Sequence, residues 1–209
     1  MLLDFKNLKE KYKLDITGVI QVGAHYGEEL NTWLNEPNIK NIILFEADSD
    51  NFNVLKENTS NIQTDKHLRV VHMGLGPFPC EMTLYKETSN SGQSNSVLKP
   101  KVHLQAFPHI VFDREIKIKI ETLDSYECST DFNFLTMDVQ GFELEVLRGA
   151  RKTLKNIQWL MLEVNRDETY ENCAQIDEVD KFLEEYNFKR VETVWWDNSF
   201  WGDAFYIKN

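Results

Sequence analysis

The sequence predicts an α/β fold: a doubly wound, mostly parallel sheet with helices on both faces. Three observations point there. Apolar runs of strand length alternate with stretches of helical period between residues 17 and 73. A glycine turn joins the first such strand to the first such helix, and after residue 132 the rhythm resumes with two strands that each end in a carboxylate.

The elements follow in order. Residues 1–15 form an amphipathic helix in which Lys6 to Lys13 alternate with Glu10 and apolar positions. Thr17 to Val22 is a buried type of strand that stops at Gly23-Ala24-His25-Tyr26-Gly27, and Leu30, Trp33 and Leu34 then recur at helical spacing. Asn41 to Glu46 is a second strand, Ser49 is the expected N-cap of a helix carrying Phe52 and Leu55, and His67 to Met73 is a third strand. The middle region, residues 77–121, departs from this pattern. Met82 to Lys86 and Glu115 to Glu121 read as strands, the second with Ile116, Ile118 and Ile120 alternating with charged residues. Between them, Ser89 to Ser96 has the composition of a flexible linker. A long loop inside a compact domain is either a lid over a ligand or a solvated loop. Phe132 to Asp138 is then a strand, Gly141 to Leu154 a helix, Ile157 to Glu163 a strand, and Ile176 to Tyr186 a last helix. Phe188 to Trp196 and Ala204 to Ile207, joined through Asp197 to Asp203, form a closing antiparallel pair.

Composition narrows the function. With 209 residues, 42% of them hydrophobic, one domain spanning 1–209 has ample material for a core. The longest apolar runs fall far short of the roughly 18 residues a membrane span needs, so no membrane insertion is expected. The 23 basic and 34 acidic residues give a net charge of −11, which repels a phosphate backbone, and no basic stripe offsets it. Nucleic acid is therefore excluded as a partner. Cys80, Cys128 and Cys173 lack any paired spacing and read as free thiols, which suits a cytoplasmic, reducing location. Asn58-Thr59-Ser60 fits a glycosylation acceptor in form, but the polar end of a helix explains it better. The oligomeric state is open, and a homodimer is compatible with the composition.

In an open α/β sheet, ligands gather beyond the C-terminal ends of the strands. The glycine turn lets main chain approach a ligand there, although Gly23-Ala24-x-x-Gly27 lacks the full dinucleotide fingerprint. Glu46 follows at the spacing at which a carboxylate accepts hydrogen bonds from ribose hydroxyls. Both nicotinamide and S-adenosylmethionine enzymes hold ribose this way, and the missing pyrophosphate motif favours the methyl donor. Asp138 and Glu163 end neighbouring strands and can converge on a hydroxyl or, with Asn165, on a divalent cation such as Mg or Mn that takes oxygen ligands. Glu143 shares a helix face with Leu147, Ala150 and Leu154, so it either caps nearby main chain or faces the site. His25, His103 and His109 are each a candidate base or a packing residue. Trp195, Trp196, Phe200 and Trp201 make either a sugar-stacking wall or a packed hairpin tip.

From Val19 to Phe205 these residues resemble the FkbM-type S-adenosylmethionine-dependent methyltransferases. The resemblance is densest in Thr122-Leu123-Asp124 and in Phe132-x-Phe134-Leu135-x-Met137-Asp138-Val139-Gln140-Gly141-x-Glu143-x-Glu145-Val146-Leu147-x-Gly149-Ala150. It is supported by the Gly23 turn, Phe45-Glu46-Ala47 with Asn51-Phe52, Leu162-Glu163-Val164 and Gly202-Asp203-Ala204-Phe205-Tyr206. The family commonly has aspartate at Gln21 and proline at Ala47. The resemblance implies a Rossmann-like, class I methyltransferase sheet of seven strands with an antiparallel last strand, and O-methyl transfer to sugars or glycosylated products. It places Gly23, Ala24 and Gly27 beside the methionine part of the cofactor, Glu46 at the ribose and Gly74 near the adenine, with His25 and Ala47 also expected to bind the cofactor. Ser94, Asn95, Ser96, Asp138 and Val139 would lie close to the same cofactor, with Gln140, Glu143 and Glu163 on the acceptor side. A small-molecule or glycan acceptor is then expected, a deoxysugar such as rhamnose among them. The competing readings are a non-catalytic nucleoside- or glycan-binding module on the same fold and a dehydrogenase.

Overall fold

The structure is a computed structural model that describes residues 1–126, 131–197 and 199–209. The expected free thiol at Cys128 and the Asn198 position of the closing turn lie outside the described residues. In chain order the strands are β1 (Gly18–Val22), β2 (Asn41–Glu46), β3 (His67–His72), β4 (Gly74–Leu75), β5 (Cys80–Glu87), β6 (Phe112–Glu121), β7 (Phe134–Met137), β8 (Trp159–Asn165), β9 (Phe188–Trp195) and β10 (Trp201–Lys208). The helices are α1 (Phe5–Tyr12), α2 (Leu30–Leu34), α3 (Ser49–Ser60), α4 (His103–Ala106), α5 (Glu143–Arg148) and α6 (Ile176–Glu184). Among the described residues no helix is long and apolar enough to cross a membrane.

Seven strands form the main sheet in the order β3-β2-β1-β7-β8-β10-β9. All neighbours pair parallel except β10, which runs antiparallel to both β8 and β9. Strand order reverses between β1 and β7, so the ligand crevice is expected beyond their C-terminal ends. The near-continuous apolar runs are explained by burial on both faces. Ile20, Leu135, Leu160 and Leu162 enter the core on one side of the sheet, while Val19, Phe134 and Met161 enter the core on the other. Each such buried aliphatic side chain contributes roughly 1.5–3 kcal/mol. One polar interruption is satisfied in place: Gln21 Oε1 accepts from Trp33 Nε1 at 2.8 Å, and its Nε2 donates to Glu29 at 2.9 Å.

Two expected helix ends shift. Asp48, not Ser49, caps α3, with its carboxylate accepting from the Asp50 N–H at 2.8 Å. The single helix expected over Gly141 to Leu154 is two pieces, α5 and a short 3₁₀ turn at Thr153–Lys155. The break falls at Gly149, where a Cβ would lie 2.0 Å from the Gly76 carbonyl oxygen. Asp124 then caps the second piece, accepting from the N–H groups of Lys152 and Thr153 and from the Thr153 hydroxyl.

The middle region builds a sheet of its own, β4-β6-β5. Ser89 to Ser96 is no free linker, because Ser94 and Ser96 are buried and the segment is held at several points. The Ser96 hydroxyl donates to the Gln140 carbonyl (2.7 Å), Asn95 Nδ2 donates to Asp48 (2.6 Å), and the Ser91 carbonyl lies against His25 Nε2 (2.8 Å) and the Tyr26 hydroxyl (3.2 Å).

Candidate active site

A cavity of about 680 Å³ opens beyond the C-terminal ends of β1, β2, β7 and β8. The 90–97 segment and residues around His103 to Ile110 line its other side. This volume lies within the range of small-ligand sites.

Main chain shapes one half. Gly23 has φ +77, and a Cβ there would fall 1.9 Å from the Asp138 carbonyl oxygen, so only glycine lets β1 turn this close to β7. The N–H groups of Gly23 and Ala24 both donate to the Phe45 carbonyl, at 3.0 and 2.9 Å. The next N–H, of His25, donates to Glu46 Oε2, and the Asp48 N–H to Glu46 Oε1, each at 2.8 Å. Glu46 is thereby fixed in the wall, and each oxygen keeps a second lone pair. Burial pushes its carboxyl up to about 7, with the two N–H bonds opposing. A fixed carboxylate with spare lone pairs and no cation bonded to it fits a ribose diol. Gly23, His25, Ala47, Gly74, Ser94, Asn95, Ser96 and Val139 also reach the wall. Ala24 and Gly27 do not: Ala24 packs into the core, and Gly27, at φ +88, makes room for Leu55. Their part is to shape the turn.

Side chains make the other half. Gln140, at φ +54, aims its amide between two carboxylates, Nε2 donating to Asp138 Oδ1 at 2.7 Å and to Glu163 Oε2 at 2.9 Å. Its Oε1 accepts from the Tyr170 hydroxyl at 2.6 Å. Burial, reinforced by the Asp138 charge, raises Glu163 well above the usual carboxylate range, which favours its protonated form. Glu143 is corrected from the acceptor side. Its Oε1 accepts from the Val139 and Gly141 N–H groups at 3.0 and 3.2 Å and closes the β7–α5 turn, and burial pushes it up to about 7. It does not line the cavity. Asn165 does not line it either, and both polar atoms of its side chain are buried without partners. Among the described residues no group of three or more His, Cys, Asp or Glu is placed to hold a metal ion.

Of the three histidines on the wall, His25 bonds Glu28 and the Ser91 carbonyl, which outweigh burial and raise its pKa. His103 is buried, sits 3.1 Å from the Ser94 hydroxyl, and is lowered by that burial. Trp196 and Trp201 line the cavity as a parallel stack, 5.7 Å between centroids and 11° between planes. Sequence reasoning gave no role to Tyr170 or to Asp203. Asp203 is 1% exposed and lines the cavity, with Oδ2 accepting from the Leu2 and Leu3 N–H groups and Oδ1 left without a partner. Its signal was its place in the Gly202 to Tyr206 run, opposite Glu163 in the β8–β10 register.

The strand order, the switch-point cavity and the Glu46 and Asp138 carboxylates at strand ends define the class as a Rossmann-like methyltransferase fold. The same fold is found in M. capricolum TrmK bound to S-adenosyl-homocysteine (TM-score 0.54, 10% identity, covering 100% of this chain and 70% of that one). It recurs in Streptococcus pneumoniae Sp1610, described as a tRNA (m1A22) methyltransferase (0.55, 14%, 100% and 71%), and in ChlM of Synechocystis PCC 6803 with bound SAM (0.53, 8%, 98% and 76%). The chain belongs to the FkbM methyltransferase family, whose model, the methyltransferase FkbM domain, matches residues 21–190. Among curated proteins it is 33% identical over 82 residues to the 2-O-methyltransferase NoeI of Sinorhizobium fredii, a segment covering 37% of this chain and 33% of NoeI.

Proposed function

We propose that this chain is an S-adenosylmethionine-dependent O-methyltransferase that acts on a sugar hydroxyl. The observation that carries the reading is the Asp138–Gln140–Glu163 arrangement in the same cavity as the fixed Glu46 carboxylate. The likeness to a sugar 2-O-methyltransferase supports the acceptor class.

The Gly23 turn would border the cofactor's methionine part and the Glu46 oxygens would hold its ribose, with the 94–96 segment close by. When bound, the cofactor supplies an electrophilic methyl group on a sulfonium. An alcohol is a poor nucleophile at neutral pH, so a positioned base is needed. Asp138, pinned through Oδ1, takes the hydroxyl proton, while protonated Glu163 donates to an acceptor oxygen and sets its orientation. Free thiols at Cys80 and Cys173 suit a cytoplasmic setting.

Calorimetry with the methyl donor and its demethylated product tests cofactor binding. A mass-spectrometric screen of glycans, nucleotide sugars and tRNA for the gain of one methylene, with and without chelator, then tests the chemistry. Binding of both cofactor forms and a chelator-resistant gain on a sugar are expected. Loss of the gain with chelator assigns Asp138 and Glu163 to a cation, and methylated tRNA overturns the sugar reading. A pure glycan reader binds neither cofactor form, and a dehydrogenase binds a nicotinamide instead. Asp138→Asn is expected to keep the cofactor Kd within about threefold while turnover falls on the order of 10²–10⁴-fold; unchanged turnover removes Asp138 from the mechanism.

A further inference from the structure

Resting on that reading, we propose that the acceptor arrives as a finished glycoside, its ring stacked on the Trp196–Trp201 pair, and that nucleotide sugars are excluded. Methylation then follows glycosyl transfer, the reaction class that must supply this substrate.

The first support is the charge of the wall. Seven carboxylate side chains line the cavity, and among the described residues no lysine or arginine does; the Met1 ammonium, 3.8 Å from Glu29, offsets only part of that charge. On the acceptor side these carboxylates are Glu29, Asp138, Glu163 and Asp203. In a nucleotide sugar the diphosphate sits on the anomeric carbon, one ring-width from any reacting hydroxyl. That span is shorter than the Debye length of about 8 Å at physiological salt, and buried charges are screened even less. A hydroxyl seated at Asp138 would therefore bring two phosphate charges against a wall whose carboxylates outnumber its cations. A glycoside carries no such charge.

The second support is the shape of the wall. Trp196, just past β9, and Trp201, the first residue of β10, lie parallel, with Trp196 47% exposed. A half-exposed indole in the cavity wall offers apolar surface that a bound ring can cover. The electron-rich indole face suits the polarised C–H face of a pyranose. The adjoining strand supplies a third feature, Asp203 Oδ1, a buried acceptor with no donor. A sugar hydroxyl satisfies it. Ring face, hydroxyl acceptor and the Asp138–Glu163 pair thus lie along β10, β8 and β7, neighbouring strands of the sheet.

The test uses the full chain saturated with S-adenosyl-homocysteine. Saturation-transfer NMR is run with methyl glycosides of glucose, galactose, mannose, fucose, rhamnose and N-acetylglucosamine, and with a nucleoside diphosphate sugar of each. At least one glycoside is expected to receive saturation on its ring protons, with its nucleotide counterpart binding tenfold more weakly or worse. Trp196→Ala, in an exposed turn, and Trp201→Ala are each expected to weaken that glycoside tenfold or more while S-adenosyl-homocysteine affinity stays within twofold. The proposal is overturned by a nucleotide sugar that binds as tightly as its glycoside, by glycoside binding that survives both substitutions, or by a panel in which no glycoside binds. Failure of the wild-type chain to bind S-adenosyl-homocysteine in calorimetry is a different result, and it removes the methyltransferase reading itself.

Discussion

On the cofactor side of the cavity, Gly23, Ala24 and His25 are consecutive, and their three N–H groups reach only as far as Phe45 and Glu46 on the adjacent strand. On the acceptor side, Asp138, Gln140, Glu163, Tyr170 and Asp203 come from the ends of β7 and β8, the loop beyond β8, and β10. The first half is main chain held by close approach, and its tolerance is steric. The second is a set of side chains whose protonation and aim depend on one another. A substitution in the first should therefore act through space and remove binding outright, whereas one in the second should act through charge and be graded.

Gly23→Ala is the sharpest probe of that contrast and carries the largest expected effect. The added Cβ would fall 1.9 Å from a main-chain carbonyl that cannot swing aside, at a φ that side chains avoid. We expect destabilisation of about 3–5 kcal/mol and no calorimetric heat with S-adenosyl-homocysteine. Native-like melting with intact binding would show that the turn is not rigid and would dissolve the distinction.

How legible each half is in the sequence follows from the same contrast. Strand–turn–helix order, the glycine turn and Glu46 are local patterns, and all of them are found where the sequence puts them. The parts that sequence reasoning misplaced depend on contacts across the chain. Gly149 breaks a helix because Gly76 presses on it, and Ser89 to Ser96 looks like a linker until Asp48, Gln140 and His25 are seen to hold it. Periodicity put Glu143 on a buried face but left two uses open, and only the Val139 and Gly141 N–H groups decide between them. Tyr170 carried no local signal, and the Gly202 to Tyr206 run marked Asp203 without giving it a role, since the partners of both are far away in sequence.

Glu46→Gln tests the boundary between the halves, because Glu46 is a side chain serving the main-chain half. Its carboxyl is raised from 4.5 to about 7 by burial. A raised folded-state value stabilises below the unfolded value, and that stability is lost as pH climbs through about 7. By pH 8 the ionised group costs on the order of 3 kcal/mol in the free protein. The variant should therefore show a flatter dependence of Tm on pH between 5 and 8. It should also lose a charge-assisted contact to the ribose, about 1.5–3 kcal/mol, or roughly ten- to hundredfold in Kd. In the wild type the ribose favours the ionised form, so binding near pH 7 should release protons, measurable as a dependence of the calorimetric heat on buffer ionisation enthalpy. Heats that do not change with buffer would mean that Glu46 is already ionised or makes no ribose contact.

Tyr170→Phe has the smallest expected effect and isolates the side-chain half. The hydroxyl donates to Gln140 Oε1 at 2.6 Å, and burial together with the surrounding carboxylates raises its pKa well above the ordinary value, so it remains a neutral donor at working pH. Without it, the Gln140 side chain is held only through Asp138 and Glu163, and a half-buried amide oxygen loses its partner at a cost of about 1–3 kcal/mol. For a chain of this length, 1 kcal/mol corresponds to a fall in Tm of roughly 2–4 °C. The same hydroxyl lies 3.1 Å from the Ser94 carbonyl but touches neither the Gly23 turn nor Glu46, so affinity for S-adenosyl-homocysteine should fall less than turnover. Turnover on an accepted glycoside should drop about tenfold, with the alkaline limb of its pH profile displaced, because Gln140 no longer fixes the distance between the two carboxylates that sets the Glu163 pKa. A fall in Tm with turnover and pH profile unmoved would make Tyr170 a packing residue, and the coupling along the acceptor side would then end at Gln140.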